Sequence, residues 1–303
     1  MIARLLEVAM SHLPISRTLL ICCLLLAPPA VAGQLPGPKI VRDLEYARAD
    51  DISLKLDLYL PRVPQPVPVV VWVHGGAWRS GSKNSVPVKD LLAHGFAIAS
   101  VDYRLSPVAK FPAQIHDIKA AIRYLRGTAR DHGIDSQHIS IAGASAGGHL
   151  AALVGVTNGH AELEGRLGSF LQSSSDVEKV VSFYGASNLD SILRQSTPHG
   201  LSVREPALDL LLGAAGAERK QLTHLASPVN HVVAHDPPLM LLHGDQDPQM
   251  PINQAHELHG RYKQLGLSVQ FEVVHGGAHG GRPFYQQERM QRVAAFLRRQ
   301  QGK

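Results

Sequence analysis

Short apolar runs rich in Val, Ile and Leu, each set apart by a helical pattern, constrain this chain more than any other feature. They are Val67 to Val73, Ala97 to Val101, His138 to Ala142, Val177 to Phe183, Leu239 to Leu242 and Val269 to Val274. Runs of that length with little apolar–polar alternation are expected of parallel strands buried on both faces. Between them, Gln114 to Arg130 sets Ile115, Ile118, Ala121, Ile122 and Leu125 on one stripe. Ala146 to Val156, Gln254 to Leu265 and Gln286 to Arg299 read as helices too, the last with Met290, Val293, Ala294 and Leu297 on one side. Such alternation predicts an α/β fold, a mostly parallel sheet with helices on both faces, and puts ligands at the carboxyl ends of the strands. Ahead of these runs, Ile52 to Leu60 alternates with period two, as a half-buried antiparallel strand does, and Pro61 to Pro68 is a stiff connector.

The 303 residues are 45% hydrophobic, enough for a large core and too many for a disordered chain. No linker-like stretch divides residues 33–303, which read as one domain. Its 30 Lys and Arg against 25 Asp and Glu are spread along the chain, without the basic stripe that nucleic-acid binding requires. Residues 187–230 break the rhythm: they are long, polar and punctuated by Pro and Gly, with a helix expected only around Ala207 to Leu212. A connection of that length between buried strands is read as a small cap over a site, or as a surface excursion.

At the N-terminus, Arg17 precedes an apolar run from Leu19 to Leu26, and Ala30-Val31-Ala32 supplies a small-residue cleavage site. Residues 1–32 therefore read as a signal peptide cut after Ala32, with Met1 or Met10 as the start and a secreted or periplasmic product. The run is too short to span a bilayer, so no stable membrane association is expected once it is removed. Cys22 and Cys23 lie inside it, and Ile21 disfavours lipid attachment at Cys22. The mature chain is thus expected to carry no disulfide.

Chemistry enters where His138 to Ala142 runs into Gly143-Ala144-Ser145-Ala146-Gly147-Gly148, a G-x-S-x-G pattern at a strand-to-helix junction. Small flanking residues permit a sharp turn that lifts the Ser145 hydroxyl above the sheet. Alone, the pattern also fits plain packing. Upstream, the strand from Val67 ends in His74-Gly75-Gly76-Ala77-Trp78, where glycines let the backbone approach a carbonyl oxygen and aim N–H groups at it. Downstream come His243-Gly244-Asp245-Gln246-Asp247-Pro248 and His275-Gly276-Gly277-Ala278-His279, each at a strand's carboxyl end and in the order Ser, Asp, His. Asp245 sits against its strand and is better placed to hold the turn, so Asp247 is the preferred acid. His279, in a Gly-flanked loop, is preferred over His275 as the base.

Seven segments together carry a family resemblance. They are the His74 to Trp78 and Gly143 to Leu150 motifs, Asp102-Tyr103-Arg104-Leu105-Ser106-Pro107, Phe111-Pro112-Ala113, Asp236-Pro237-Pro238, His243 to Pro248 and Gly276-Gly277-Ala278-His279-Gly280. Over roughly residues 45–300 the chain resembles secreted bacterial esterases of the α/β-hydrolase superfamily, in the hormone-sensitive-lipase-like branch that includes feruloyl-esterase-like domains. The resemblance implies Ser145, Asp247 and His279 as a catalytic triad, and the amides of Gly76, Ala77 and Ala146 as oxyanion donors. Relatives often carry a third glycine where this chain has Ala77, a change that keeps the amide. It also implies a serine carboxylesterase acting through an acyl-enzyme on a small-molecule ester, without cofactor or metal.

Trp78, Phe183 and Tyr184, at carboxyl ends of strands, are candidates for the acyl-pocket wall, with buried packing as the alternative. His74, His149 and Asp102 read as structural. Because 187–230 lacks the hydrophobic lid a lipase needs, short-chain, acetyl or hydroxycinnamoyl esters are the expected substrates. Two other functions compete. One is a serine peptidase related to the catalytic domains of prolyl-oligopeptidase-like enzymes, for whose propeller 303 residues leave no room. The other is a non-catalytic hydrolase-fold binding module, in which a triad member is typically missing. Oligomeric state is not legible.

Overall fold

The computed structural model describes residues 37–299, so the expected signal segment 1–32 lies outside the described residues. Its sheet has eight strands: β1 (Lys39–Ala49), β2 (Ile52–Leu60), β3 (Val67–Val73), β4 (Ala97–Val101), β5 (Ile134–Ala144), β6 (Val180–Phe183), β7 (Leu239–Gly244) and β8 (Val269–Val274). In space they run β1-β2-β4-β3-β5-β6-β7-β8; β2 pairs antiparallel with both β1 and β4, and all later pairs are parallel. The chain winds one way from β3 to β4 and the other way from β5 onward. That reversal opens a crevice at the carboxyl ends of the neighbours β3 and β5, where Val73 pairs with Gly143. His74-Gly75-Gly76 and Ser145 stand at its two sides.

The unbroken apolar run of β3 follows from burial on both faces. Val69, Val71 and Val73 join one core with Ile118, Ile122 and Leu150, while Val70 and Trp72 join a second with Leu91, Val293 and Leu297. Each fully buried side chain of this size contributes about 1.5–3 kcal/mol. The sheet is thereby a rigid platform, and the loops at its carboxyl end inherit fixed anchor points. Among the described residues no helix is long and apolar enough to cross a membrane.

Beyond shifts in strand ends, as at β5 and β6, the structure differs from the sequence-based expectation most in the following places. A strand not expected from the sequence, β1, precedes Ile52 and pairs antiparallel with β2, with two register shifts. The helix expected over Gln114 to Arg130 breaks at Thr128, between Ala113–Gly127 and Ala129–His132. The largest correction concerns 187–230, which is helical at Ile192–Gln195, Pro198–Leu212 and Gly216–Leu225 instead of mostly irregular. The longest of these is locally well specified. Thr197 Oγ1 accepts the Gly200 amide at 3.0 Å, Pro198 takes the first helical position, and Gly213 closes the end in a left-handed conformation. Gly200, Arg204, Ala207, Leu208, Leu211 and Leu212 form its buried face at helical spacing.

Candidate active site

Ser145 adopts φ 55° and ψ −119°, between β5 and the helix Ala146–Gly155. A non-glycine residue there costs on the order of 1–3 kcal/mol, which the surroundings must hold in place. They do so by close packing. A Cβ on Gly143 would lie 2.2 Å from the Gly147 carbonyl oxygen, and one on Gly147 would lie 2.1 Å from that of Val73. The Ser145 amide donates to Phe183 O at 2.9 Å, pinning the turn to β6. The glycines of the motif therefore let strand, helix and neighbouring strand meet tightly enough to force the serine outward.

Two loops from the far side of the sheet complete the constellation. His279 Nε2 stands 2.8 Å from Ser145 Oγ, and its Nδ1 stands 2.7 Å from Asp247 Oδ2. The other oxygen of Asp247 accepts the amides of Gln249 at 2.9 Å and Met250 at 2.8 Å. The Asp247 side chain is fully buried. Burial alone would raise its carboxyl, but the His243 and His279 imidazoles and the Met250 amide outweigh that and hold it well below the ordinary carboxylate range. A carboxylate so placed fixes the Nδ1–H tautomer and leaves Nε2 free to accept the serine proton. His243 Nε2 lies 2.9 Å from Met250 O, which ties down the same loop.

Opposite the serine, Gly76, Ala77 and Trp78 all have positive φ, at 111°, 51° and 58°. Only glycine fits the first position, since a Cβ would sit 2.1 Å from the Ser80 carbonyl oxygen. The reversed backbone leaves the amides of Gly76 and Ala77, and of Ala146 at the helix start, with no acceptor among the described residues. Gly76 and Ala77 line the same cavity as Ser145, and Ala146 follows it in the chain, so these free donors can receive a developing negative charge there. The adjoining cavity has a volume of about 540 Å³, with Trp72, His74, Tyr184, Tyr285, Arg204 and Gln249 among its walls. That is within the range of small-molecule sites.

A family model, BD-FAE, matches residues 56–262, which include Ser145 and Asp247 and stop short of His279. The chain belongs to the BD-FAE family. This is a hormone-sensitive-lipase-like esterase family within the α/β-hydrolase superfamily. Among curated proteins, this BD-FAE chain is 30% identical over 258 residues to Esterase LipC of Mycobacterium tuberculosis, a match covering 83% of this chain and 63% of LipC. It is 31% identical to the probable carboxylic ester hydrolase LipM of the same organism, covering 78% of this chain and 58% of LipM. The chain thus spans about three fifths of the length of these relatives. A truncated carbohydrate esterase from gut microbiota superposes with a TM-score of 0.75 at 32% identity, covering 86% of this chain and 95% of that one. Esterase 2 of Thermogutta terrifontis with bound butyrate superposes with a TM-score of 0.70 at 26% identity, covering 86% and 94%.

In this BD-FAE chain the residues singled out by sequence fall into two groups. Ser145, His279, Gly76 and Ala77 line the cavity, Asp247 stands behind His279 and Ala146 opens the helix after Ser145, and Tyr184 lines the cavity with its ring 4.9 Å from that of His279. Trp78 and Phe183 do not reach the cavity, which corrects their reading as pocket walls. Both are fully buried. Phe183 is in β6 with its side chain in the second core, 6.0 Å from the Trp72 ring. Trp78 is turned inward by its positive φ, and its Nε1 donates to His149 Nδ1 at 3.1 Å. His149 therefore keeps its proton on Nε2, which donates to Ala226 O at 2.7 Å, and burial lowers its pKa to about 4. Trp72, Tyr285, Arg204 and Gln249 line the cavity without having been foreseen. Tyr285 carried one weak signal, its place six residues after His279; Arg204 carried none.

Proposed function

We propose that this chain is a serine carboxylesterase with Ser145 as nucleophile, His279 as general base and Asp247 as its orienting acid. The observation that carries the reading is the continuous hydrogen-bonded line Ser145 Oγ, His279, Asp247, at 2.8 Å and 2.7 Å. Ser145 Oγ attacks the ester carbonyl carbon while His279 Nε2 takes its proton, and the carbonyl oxygen gains negative charge facing the amides of Gly76, Ala77 and Ala146. Collapse expels the alcohol, which takes the proton back from His279, and leaves an acyl-Ser145. A water deprotonated by His279 then releases the acid. Losing one oxyanion donor of this kind typically costs about 2.7–4 kcal/mol in the barrier. The protein groups present supply every proton and donor these steps need.

The substrate class follows from the cavity. A volume of about 540 Å³ walled by Trp72, Tyr184 and Tyr285 suits an acetyl-to-butyryl or flat hydroxycinnamoyl group better than a palmitoyl chain. The butyrate-bound and carbohydrate-esterase neighbours support that reading. An ester panel on the purified chain tests it: kcat/KM for acetyl to butyryl or feruloyl esters should exceed that for palmitoyl esters, below micelle formation, by at least about tenfold, or roughly 1.4 kcal/mol. Ser145→Ala should keep under about 1% of the activity and lose labelling by a fluorophosphonate. Comparable turnover by that variant would remove Ser145 from the mechanism. Export is also proposed, with a mature N-terminus at Gly33, and N-terminal sequencing of exported protein that found Met1 or Met10 would refute it.

A further inference from the structure

Arg204 is a charge that ester hydrolysis does not use. It projects from the helix Pro198–Leu212, is 2% exposed, and lines the catalytic cavity beside Val203 and Gln249. Nη2 donates to Gln249 O at 2.6 Å. Nε is buried without a partner, and Nη1 donates to no acceptor among the described residues. Burial lowers its pKa only to about 10, so the group stays cationic at neutral pH. The acid whose charge it feels, Asp247, already serves His279 and two backbone amides through its two oxygens. A guanidinium buried to this depth without a counter-ion, and open only toward the cavity, is costly unless something pairs with it. The cavity walls add a second cation, Arg79, and no carboxylate.

We propose that Arg204, with Arg79 lining the same cavity, binds a carboxylate carried by the substrate, so that the site selects anionic esters. This rests on the esterase reading and specifies the substrate class of that site. Arginine suits the task because its planar, permanently charged fork matches carboxylate geometry and is weakly hydrated. The carboxylate belongs to the acyl chain or to the alcohol. Arg204 is thus a specificity residue, distinct from a mere clamp on the Gln249 carbonyl.

Two substrate pairs test the inference on the full chain. p-Nitrophenyl hemisuccinate against p-nitrophenyl butyrate places the charge on the acyl side, and 3-acetoxybenzoate against phenyl acetate places it on the alcohol side. In at least one pair the anionic ester should have a kcat/KM at least about tenfold higher, mainly through KM, and the advantage should shrink as salt rises. That ratio should fall at least about tenfold in Arg204→Met and recover in part in Arg204→Lys, which keeps the charge; a clamp would change both esters together. Arg79→Gln, an exposed change that leaves the core intact, should lower the same ratio severalfold, and it carries the test if Arg204→Met fails to fold. Turnover of the neutral esters with a ratio of one or less in both pairs overturns the inference and spares the esterase reading. A ratio unmoved by Arg204→Lys, Arg204→Met and Arg79→Gln overturns it equally. Turnover of no ester at all overturns the esterase reading and this inference with it.

Discussion

Two Asp–His pairs stand on the same two loops, one after β7 and one after β8. Asp245 Oδ2 lies 2.9 Å from His275 Nδ1, and Asp247 Oδ2 lies 2.7 Å from His279 Nδ1. The contacts are nearly alike and the surroundings opposite. The His275 side chain is 86% exposed, whereas that of His279 is 13% exposed and that of Asp247 fully buried. Water screens the first pair, and its imidazole faces no third group. In the second, low polarity strengthens every charge–dipole contact, and a serine hydroxyl waits on the other ring nitrogen. Residue type and spacing create both pairs; only the packing of the loops gives one of them something to do.

The largest expected effect comes from the substitution that most directly challenges this contrast. Asp247→Asn preserves the shape of the side chain while removing its charge, and with it the preference for the Nδ1–H tautomer of His279. By analogy with other Ser–His–Asp enzymes, kcat should fall by about 10⁴. Steady-state kinetics on a short-chain ester read this directly, with circular dichroism to show that the fold survives. A loss under tenfold would mean that His279 does not depend on Asp247.

A third histidine sharpens the comparison from the other side, because His149 is fully buried with no acid beside it. Its unfolded imidazole takes a proton near pH 6.5, while the folded one refuses it until about pH 4. Between those values the unfolded state binds more protons, so stability declines as pH falls. Above about pH 6.5 the penalty is absent; at about pH 4 it approaches about 3 kcal/mol. Urea unfolding of wild type and His149→Gln at pH 7 and pH 4.5 isolates it, since other groups titrate alike in both proteins. The wild type should lose more stability than the variant on acidification, and parallel losses would rule out a neutral, buried His149.

Much of this was open to sequence reasoning, and the parts that were not have physical causes. The run Val67 to Val73 announces a strand buried on both faces, because no other common element needs seven residues of that kind. The glycines around Ser145 announce a tight junction for the same reason that a Cβ there collides. Sequence position says which end of the sheet a residue occupies but not which way its side chain turns. Trp78 and Phe183 both sit at the carboxyl end, yet a positive φ turns one inward and strand alternation sends the other into the second core. In the helix Pro198–Leu212, Gly200 and Pro206 look like breaks, although Thr197, Pro198 and Gly213 were legible as start and stop signals. Arg204 is undetectable from sequence, since nothing distinguishes a buried arginine from an exposed one until its helix is packed.

The smallest expected effect belongs to the exposed pair, and it is the most direct check on the contrast. Asp245 Oδ1 accepts the Gly276 amide at 2.7 Å, so its carboxylate bridges the two loops at their base. Its hydrogen bond from His275 is the main cause holding its carboxyl below the ordinary range. Asp245→Asn keeps an oxygen for the Gly276 amide and loses the charge and the solvent-exposed contact with His275, which for exposed pairs contribute little. Turnover should therefore stay within about twofold of wild type, and any change should appear in thermal stability instead. His275→Ala should behave in the same way, because its ring is open to water and touches no part of the cavity wall. Raising the ionic strength should leave the kinetics of both variants parallel to wild type on a neutral ester. A kcat loss of a hundredfold or more in Asp245→Asn, with an intact fold, would mean that the acid two residues upstream serves the reaction and that burial was the wrong criterion for choosing between the pairs.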